Sequence, residues 1–227
     1  ELNDNYPEAY NNLGIAQKEK GNFSSAIRSY ELAIKLKPTY AEAHWNLSIT
    51  QLLLNDYKNG WKNYEWRLKD KNLITLHAQP KIPLWNGDRL NENEMLLVVS
   101  EQGLGDTMQY MRYVLYLKKK GFEVSFCAQE KLHTLIQASG ISTNPLTPEN
   151  ANLVSKGKWI PLISLPKQLG VTPENTLISK PYISVNNKLK IKWKKILSNE
   201  KTPIIGIHWQ GNPIIEKTSY QGRSFPL

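Results

Sequence analysis

A chain of 227 residues that is 40% hydrophobic and 10% aromatic can form one large or two small domains with real cores. Its one cysteine, Cys127, excludes an intramolecular disulfide framework, and no apolar run approaches the ~20 residues of a membrane helix. With no signal-peptide pattern at its start, the chain reads as soluble and cytoplasmic. The net charge of +9 comes wholly from residues 151–227, which hold twelve basic and three acidic side chains. That surplus fits a solvated basic face, or else an anionic ligand, an acidic partner or a membrane surface.

The first element is an internal repeat. Glu1 to Leu13 aligns with Lys35 to Leu47. The spacing between them is the tetratricopeptide period of about 34 residues. Within 7–40, Tyr10, Leu13, Gly14, Ala26, Tyr30, Ala33 and Pro38 occupy that repeat's signature positions. Small residues let two helices approach closely, larger ones fill the gaps, Gly21-Asn22 separates the helices and Pro38 stops the second. Glu1 to Tyr6 read as the tail of an earlier repeat. The second unit, from 41 to about 72, is degenerate: Ser48 replaces the glycine, Gly60 the first alanine, and Arg67 and Asn72 the later alanine and proline. A terminal repeat differs because one face meets something other than another repeat. Trp61, Tyr64, Trp66 and Leu68 are the expected packing surface towards the α/β part of the chain.

Residues 75–94 form a connection rich in breakers, with Trp85 as its anchor. Strand 95–100, the run Met95-Leu96-Leu97-Val98-Val99, then leads through Gly103-Leu104-Gly105-Asp106 to a helix predicted over 106–119. A second strand, 123–128, leads to helix 131–138. Two strand–helix units in a row predict a parallel, doubly wound sheet. Apolar pieces come next at 159–162, then a helical turn at 165–170, an amphipathic lysine-rich helix at 188–197 and a buried strand at 203–209.

Four ordered segments carry a family resemblance: Trp85-Asn86-Gly87; Glu101 to Asp106 with Gln109-Tyr110 and Arg112-Tyr113; Pro161 to Pro166; and Gly206 to Pro213 with Arg223-Ser224. Behind a tetratricopeptide repeat, they are similar to bacterial tetratricopeptide-repeat glycosyltransferases, which resemble heptosyltransferases and more distantly the O-GlcNAc transferases. The resemblance implies a GT-B fold of two facing Rossmann-like domains with acceptor and donor in the cleft between them. The predicted fold class is therefore α plus α/β. Repeats span 1–74, a linker 75–94, the N-terminal GT-B domain 95–202, and a truncated C-terminal domain begins at 203. Most of that donor domain is absent, so the chain reads as a fragment unable to complete a catalytic cycle. The family's acidic residue before the Trp-x-Pro-Leu run is Lys158 here and carries no role over.

The resemblance places the catalytic base at Asp106, which would take a proton from the acceptor hydroxyl. A capping role at the start of the helix after it would equally account for an aspartate there. Gly103 and Gly105 fit either close backbone approach to a sugar or an unusual backbone turn. Glu101, Gln102 and Gln109 complete the expected substrate-binding set, and Gln210, Gly211 and Asn212 stand on the donor side. No histidine or cysteine spacing suggests zinc, and no Asp-x-Asp pair suggests a metal-bridged donor, which fits a metal-independent enzyme. No cofactor is implied; a nucleotide sugar would be a substrate. The expected partners are a protein or glycan acceptor held by the repeat groove, and no nucleic acid. The alternative is a non-catalytic scaffold, in which the repeats bind a peptide and the α/β domain is degenerate.

Overall fold

A computed structural model describes residues 6–91 and 94–200. It divides into two compact units, Glu1–Val185 and Asn186–Leu227. The first unit opens with two helical hairpins and continues into a small parallel three-stranded sheet with helices, an α plus α/β architecture.

The first hairpin pairs α1 (Pro7–Glu19) with α2 (Phe23–Leu36), and the second pairs α3 (Ala41–Leu53) with α4 (Tyr57–Tyr64). Pro7 starts α1, where its missing N–H costs nothing. The turn inside each hairpin passes through the left-handed region at equivalent repeat positions, Gly21 (φ 77°) and Asn55 (φ 64°). Glycine and asparagine are the residues that tolerate this conformation. Gly14 lets α2 close onto α1, since a Cβ there would lie 2.5 Å from the Tyr30 ring. Ala26, Tyr30 and Leu47 form the shared core of the two hairpins. Asn46 donates to Asn11 (3.0 Å), which in turn donates to Glu42 (3.2 Å), so the buried amides between α1 and α3 are paired. Leu13 departs from the gap-filling role its signature position implies. It is 47% exposed, whereas Leu47, its equivalent, is 4% exposed because it packs on the preceding hairpin.

A short 3₁₀ turn, Glu65–Lys69, ends the second hairpin. The connection after it is fixed rather than free. Trp85 is buried against Phe122 (rings 6.0 Å apart), and its indole donates to the Asp88 carbonyl (2.7 Å). The Trp85 N–H donates to the Trp159 carbonyl (2.7 Å), and the Trp159 N–H to that of Pro83 (2.9 Å).

Strand β1 (Leu96–Val99) lies between β2 (Val124–Cys127) and β3 (Lys158–Pro161), parallel to both. β3 is thus the third strand of the sheet, where the sequence shows only a short apolar piece broken by Pro161. Alternation along β1 splits the core. Leu96 and Val98 face α6 (Arg112–Lys119) and α7 (His133–Ala138) through Val114, Leu117 and Ile136. Leu97 and Val99 face Ala78, Ile82 and Ala151, the last from α8 (Pro148–Asn152). Burial on both faces explains why β1 reads as an unbroken apolar run. After β3, a 3₁₀ turn at Leu162–Ser164 leads into α9 (Leu165–Gln168).

The helix predicted over 106–119 is instead two helices, α5 (Leu104–Tyr110) and α6, with the break at Met111. The Tyr182 hydroxyl donates to the Met108 carbonyl (2.6 Å) and Arg112 Nε to the Gln109 carbonyl (2.8 Å). Side chains thereby take carbonyls that a continuous helix would give to its own N–H groups, a recognised cause of kinks. In the second unit, α10 (Asn187–Ile196) begins with the Asn186 side chain accepting the Lys188 N–H (2.8 Å). No helix among the described residues is long and apolar enough to cross a membrane.

Candidate functional site

The chain leaves β1 for β2 on one side and returns to β3 on the other. The connections leaving the carboxyl ends of β1 and β3 therefore diverge, and such a switch point is where open α/β sheets form a binding crevice. The β1 exit holds Glu101 to Asp106, and the β3 exit holds Leu162 to Ser164.

Glu101 departs from its expected role as a sugar contact. It is 0% exposed, and both carboxylate oxygens are occupied. Arg67 Nε donates to Oε2 (2.9 Å), Arg67 Nη2 to Oε1 (2.8 Å), and the Ile163 N–H also to Oε1 (2.9 Å). Arg67 is itself 0% exposed. Its remaining donors reach Ser164 Oγ (2.9 Å), Glu65 Oε1 (2.9 Å) and the Tyr64 carbonyl (3.1 Å), and Ser164 Oγ donates on to Glu65 (2.9 Å). Burial opposes the guanidinium charge, but Glu101 and Glu65 outweigh it and raise the Arg67 pKa above its ordinary value. The crevice between the two exit loops is therefore filled by a side chain from the repeat hairpin.

Gln102 is where the backbone is unusual, not the glycines. Its φ of 60° is left-handed, a conformation a non-glycine residue holds only when its surroundings over-determine it. Those surroundings are present. Its N–H donates to the Thr75 carbonyl (3.0 Å), its side-chain amide to the Tyr64 hydroxyl (3.2 Å), and its carbonyl accepts from Gln129 (3.3 Å). Gly103 has φ −83° and ψ 169°, ordinary extended backbone, so the unusual-turn reading of the glycines does not hold there. Gly103, Leu104 and Gly105 are exposed, and a Cβ on Gly105 would meet nothing within 4 Å.

Asp106 is half-buried. It is not the N-cap, which is Gly103, but stands three residues on, where its Oδ2 reaches back to accept the Gly103 N–H (3.1 Å). α5 has only seven residues, so Asp106 stands on a short helix and not at the head of one running to 119. Thr107 Oγ1 donates to Gln129 (2.8 Å), tying the start of α5 to the end of β2. Gln109 is exposed one turn further in.

Aromatic side chains flank this turn. Trp61 lies edge-on to Tyr64 and Tyr110 (5.7 and 6.2 Å between ring centres), joining α4 to α5. Burial raises the Tyr64 phenol pKa, opposed by Arg67 and assisted by Glu101 and Asp106; burial likewise raises that of Tyr110. Trp66, expected on this surface, instead turns back and stacks on His44 within the repeat (4.0 Å, 2°).

The structure thus brings Gln102, Gly103, Gly105 and Asp106 into one turn and removes Glu101 to its buried underside. Gln210, Gly211 and Asn212 lie outside the described residues. Sequence reasoning does not find the part that Arg67, Tyr64 and Ser164 play at this turn. The signal that could have found it is an arginine at position 67, where the repeat calls for alanine.

Residues 7–40 match the tetratricopeptide repeat family, so the first hairpin is a module of the kind that binds protein partners. No curated protein matches the chain.

Proposed function

We propose that this chain is the repeat and acceptor-domain part of a GT-B sugar transferase. In that reading residues 1–74 are repeats, 75–94 the connection, 95–202 a Rossmann-like acceptor domain, and a donor domain opens at 203. The carrying observation is Asp106 itself. A half-buried carboxylate stands beside two exposed glycines at the carboxyl end of the central strand, next to the sheet's switch point.

Asp106 Oδ2 is engaged by Gly103, and Oδ1 accepts no hydrogen bond among the described residues. The free oxygen takes the proton from an acceptor hydroxyl as that hydroxyl oxygen attacks the anomeric carbon of a nucleotide sugar. The anomeric carbon–phosphate oxygen bond breaks, and the nucleoside diphosphate leaves with the electron pair. Gly103 and Gly105 present backbone to the sugar, and Gln102 and Gln109 donate and accept at its hydroxyls; the assignment of Gln210, Gly211 and Asn212 to the donor rests on the family resemblance alone. Glu101 holds Gln102 in place without touching substrate.

The test uses the protein expressed from its complete reading frame, assayed for transfer from a panel of labelled nucleotide sugars. Asp106→Asn keeps its fold and loses at least about 100-fold in transfer. Wild-type turnover in that variant removes Asp106 as the base. A second reading, a non-catalytic scaffold, is favoured by the Arg67 side chain filling the crevice where a ligand would sit. Parent protein that binds peptides through its repeats but transfers from no sugar donor establishes that reading instead.

A further inference from the structure

Tyr64 and Arg67 belong to the helical repeats, yet their partners lie on consecutive residues of the β1 exit loop. By the repeat offset they correspond to Tyr30 and Ala33, which are both 0% exposed and serve the first hairpin. In the second hairpin the same positions point outward into another part of the chain. The Arg67 fork closes on Glu101 with both side chains fully buried, and the Arg67 guanidinium covers the Tyr64 ring at 4.6 Å. The Tyr64 hydroxyl accepts from the Gln102 side chain. From Gln102 onward the turn continues directly into Gly103, whose N–H is held by Asp106.

We infer that Arg67 and Tyr64 are positioning residues for the candidate site: the repeat hairpin sets the left-handed turn at Gln102 and, through it, the place of the Asp106 carboxylate. The inference rests on the reading of Asp106 as the base for its catalytic consequence, though not for its structural one. Without Arg67, Glu101 would be a buried carboxylate with only the Ile163 N–H for company, and such a charge leaves for solvent. Glu101 precedes the strained residue, so its departure releases Gln102 from the left-handed region and swings the rest of the turn.

The experiment compares Arg67→Lys, Arg67→Met and Tyr64→Phe in the protein from its complete reading frame. Amide hydrogen exchange is read at Gln102 and Thr107, whose N–H groups bond the Thr75 and Gly103 carbonyls, with Tyr30 and Phe126 as references. Arg67→Lys keeps the charge but loses the fork. It should speed exchange at Gln102 and Thr107 about tenfold or more while leaving Tyr30 and Phe126 unmoved. Arg67→Met, which removes the charge as well, should speed the same two amides further. Tyr64→Phe should give a smaller rise confined to them. Transfer, where the parent shows it, should lose about 100-fold in kcat with little change in donor KM, as for a misplaced base. Unchanged exchange at Gln102 and Thr107 in all three variants overturns the inference. So does a uniform rise at all four amides in Arg67→Lys, the mark of a merely structural pair. A parent without transfer removes the transferase reading, and the exchange data still decide whether the hairpin positions the turn.

Discussion

The two helical hairpins share a turn conformation and are related by one repeat period, yet they do different work. In the first, Gly14, Ala26, Tyr30 and Ala33 are turned inward, and the hairpin is held by its own small-residue packing. In the second, Gly60 and Tyr64 keep the packing roles only in part, and position 67 has become an arginine buried against Glu101 of the α/β part. Departure from the repeat signature is therefore not decay. Where the consensus fails, the hairpin has an attachment to make, and the residues that break the pattern make it.

The largest effect should come from repairing the consensus. Arg67→Ala restores the residue type that the repeat favours and leaves Glu101 buried without its partner, a loss of about 3–5 kcal/mol in stability. Denaturant unfolding measures it, and a variant as stable as the parent would mean that the second hairpin packs as the first does. Gly14→Ala probes the small-residue packing of the first hairpin. The added methyl meets three Tyr30 ring atoms at 2.5–2.9 Å, and such overpacking costs about 1–3 kcal/mol against about 1 kcal/mol of helix propensity gained. Thermal melting should show a net loss, confined to the hairpins in hydrogen exchange.

Much of this was legible in the sequence. The repeat offset locates both hairpins, and the apolar run at 96–99 announces a strand buried on both faces. Three things were not. The break at Met111 depends on Tyr182, far along the chain, reaching the Met108 carbonyl, and no local pattern encodes it. β3 carries Pro161 and a single fully apolar pair, too little alternation to read as a strand. Glu101 reads as a ligand contact because it adjoins the glycine turn; only the fold shows that its side chain points down to Arg67. Asp106 and the glycines follow β1 within a few residues, so their position in the turn after the strand is local and legible.

Titration offers a further contrast between the regions, on the α/β side. Burial holds the His77 imidazole below its ordinary pKa, where it bonds Ser100 Oγ at 2.8 Å. A depressed folded pKa stabilises the protein above the unfolded value of about 6.5, and this contribution is lost as pH falls through the folded value. The melting temperature should fall from about pH 8 to about pH 5, and fall less in His77→Asn; an equal slope in both excludes His77 as the cause. Cys127, in β2, has its thiol pushed up to about 12 by burial and, secondarily, by Glu149. Native protein at about pH 8 should react with a thiol reagent far more slowly than unfolded protein, and equal rates would place Cys127 outside the core. The smallest structural effect should be Gly105→Ala, since its Cβ meets nothing and its backbone is helical. Thermal melting should show stability held or raised by up to about 1 kcal/mol, and a clear loss would mean that the turn has no room for a methyl group there.

The second hairpin is tied to the α/β part through the buried Arg67–Glu101 pair. A double-mutant cycle of Arg67→Met and Glu101→Gln, read by denaturant unfolding, tests it most directly. Each single change should cost about 3–5 kcal/mol, and the double variant should cost less than their sum by about 2–3 kcal/mol. Costs that add to within about 0.5 kcal/mol would show that the two residues do not act on each other.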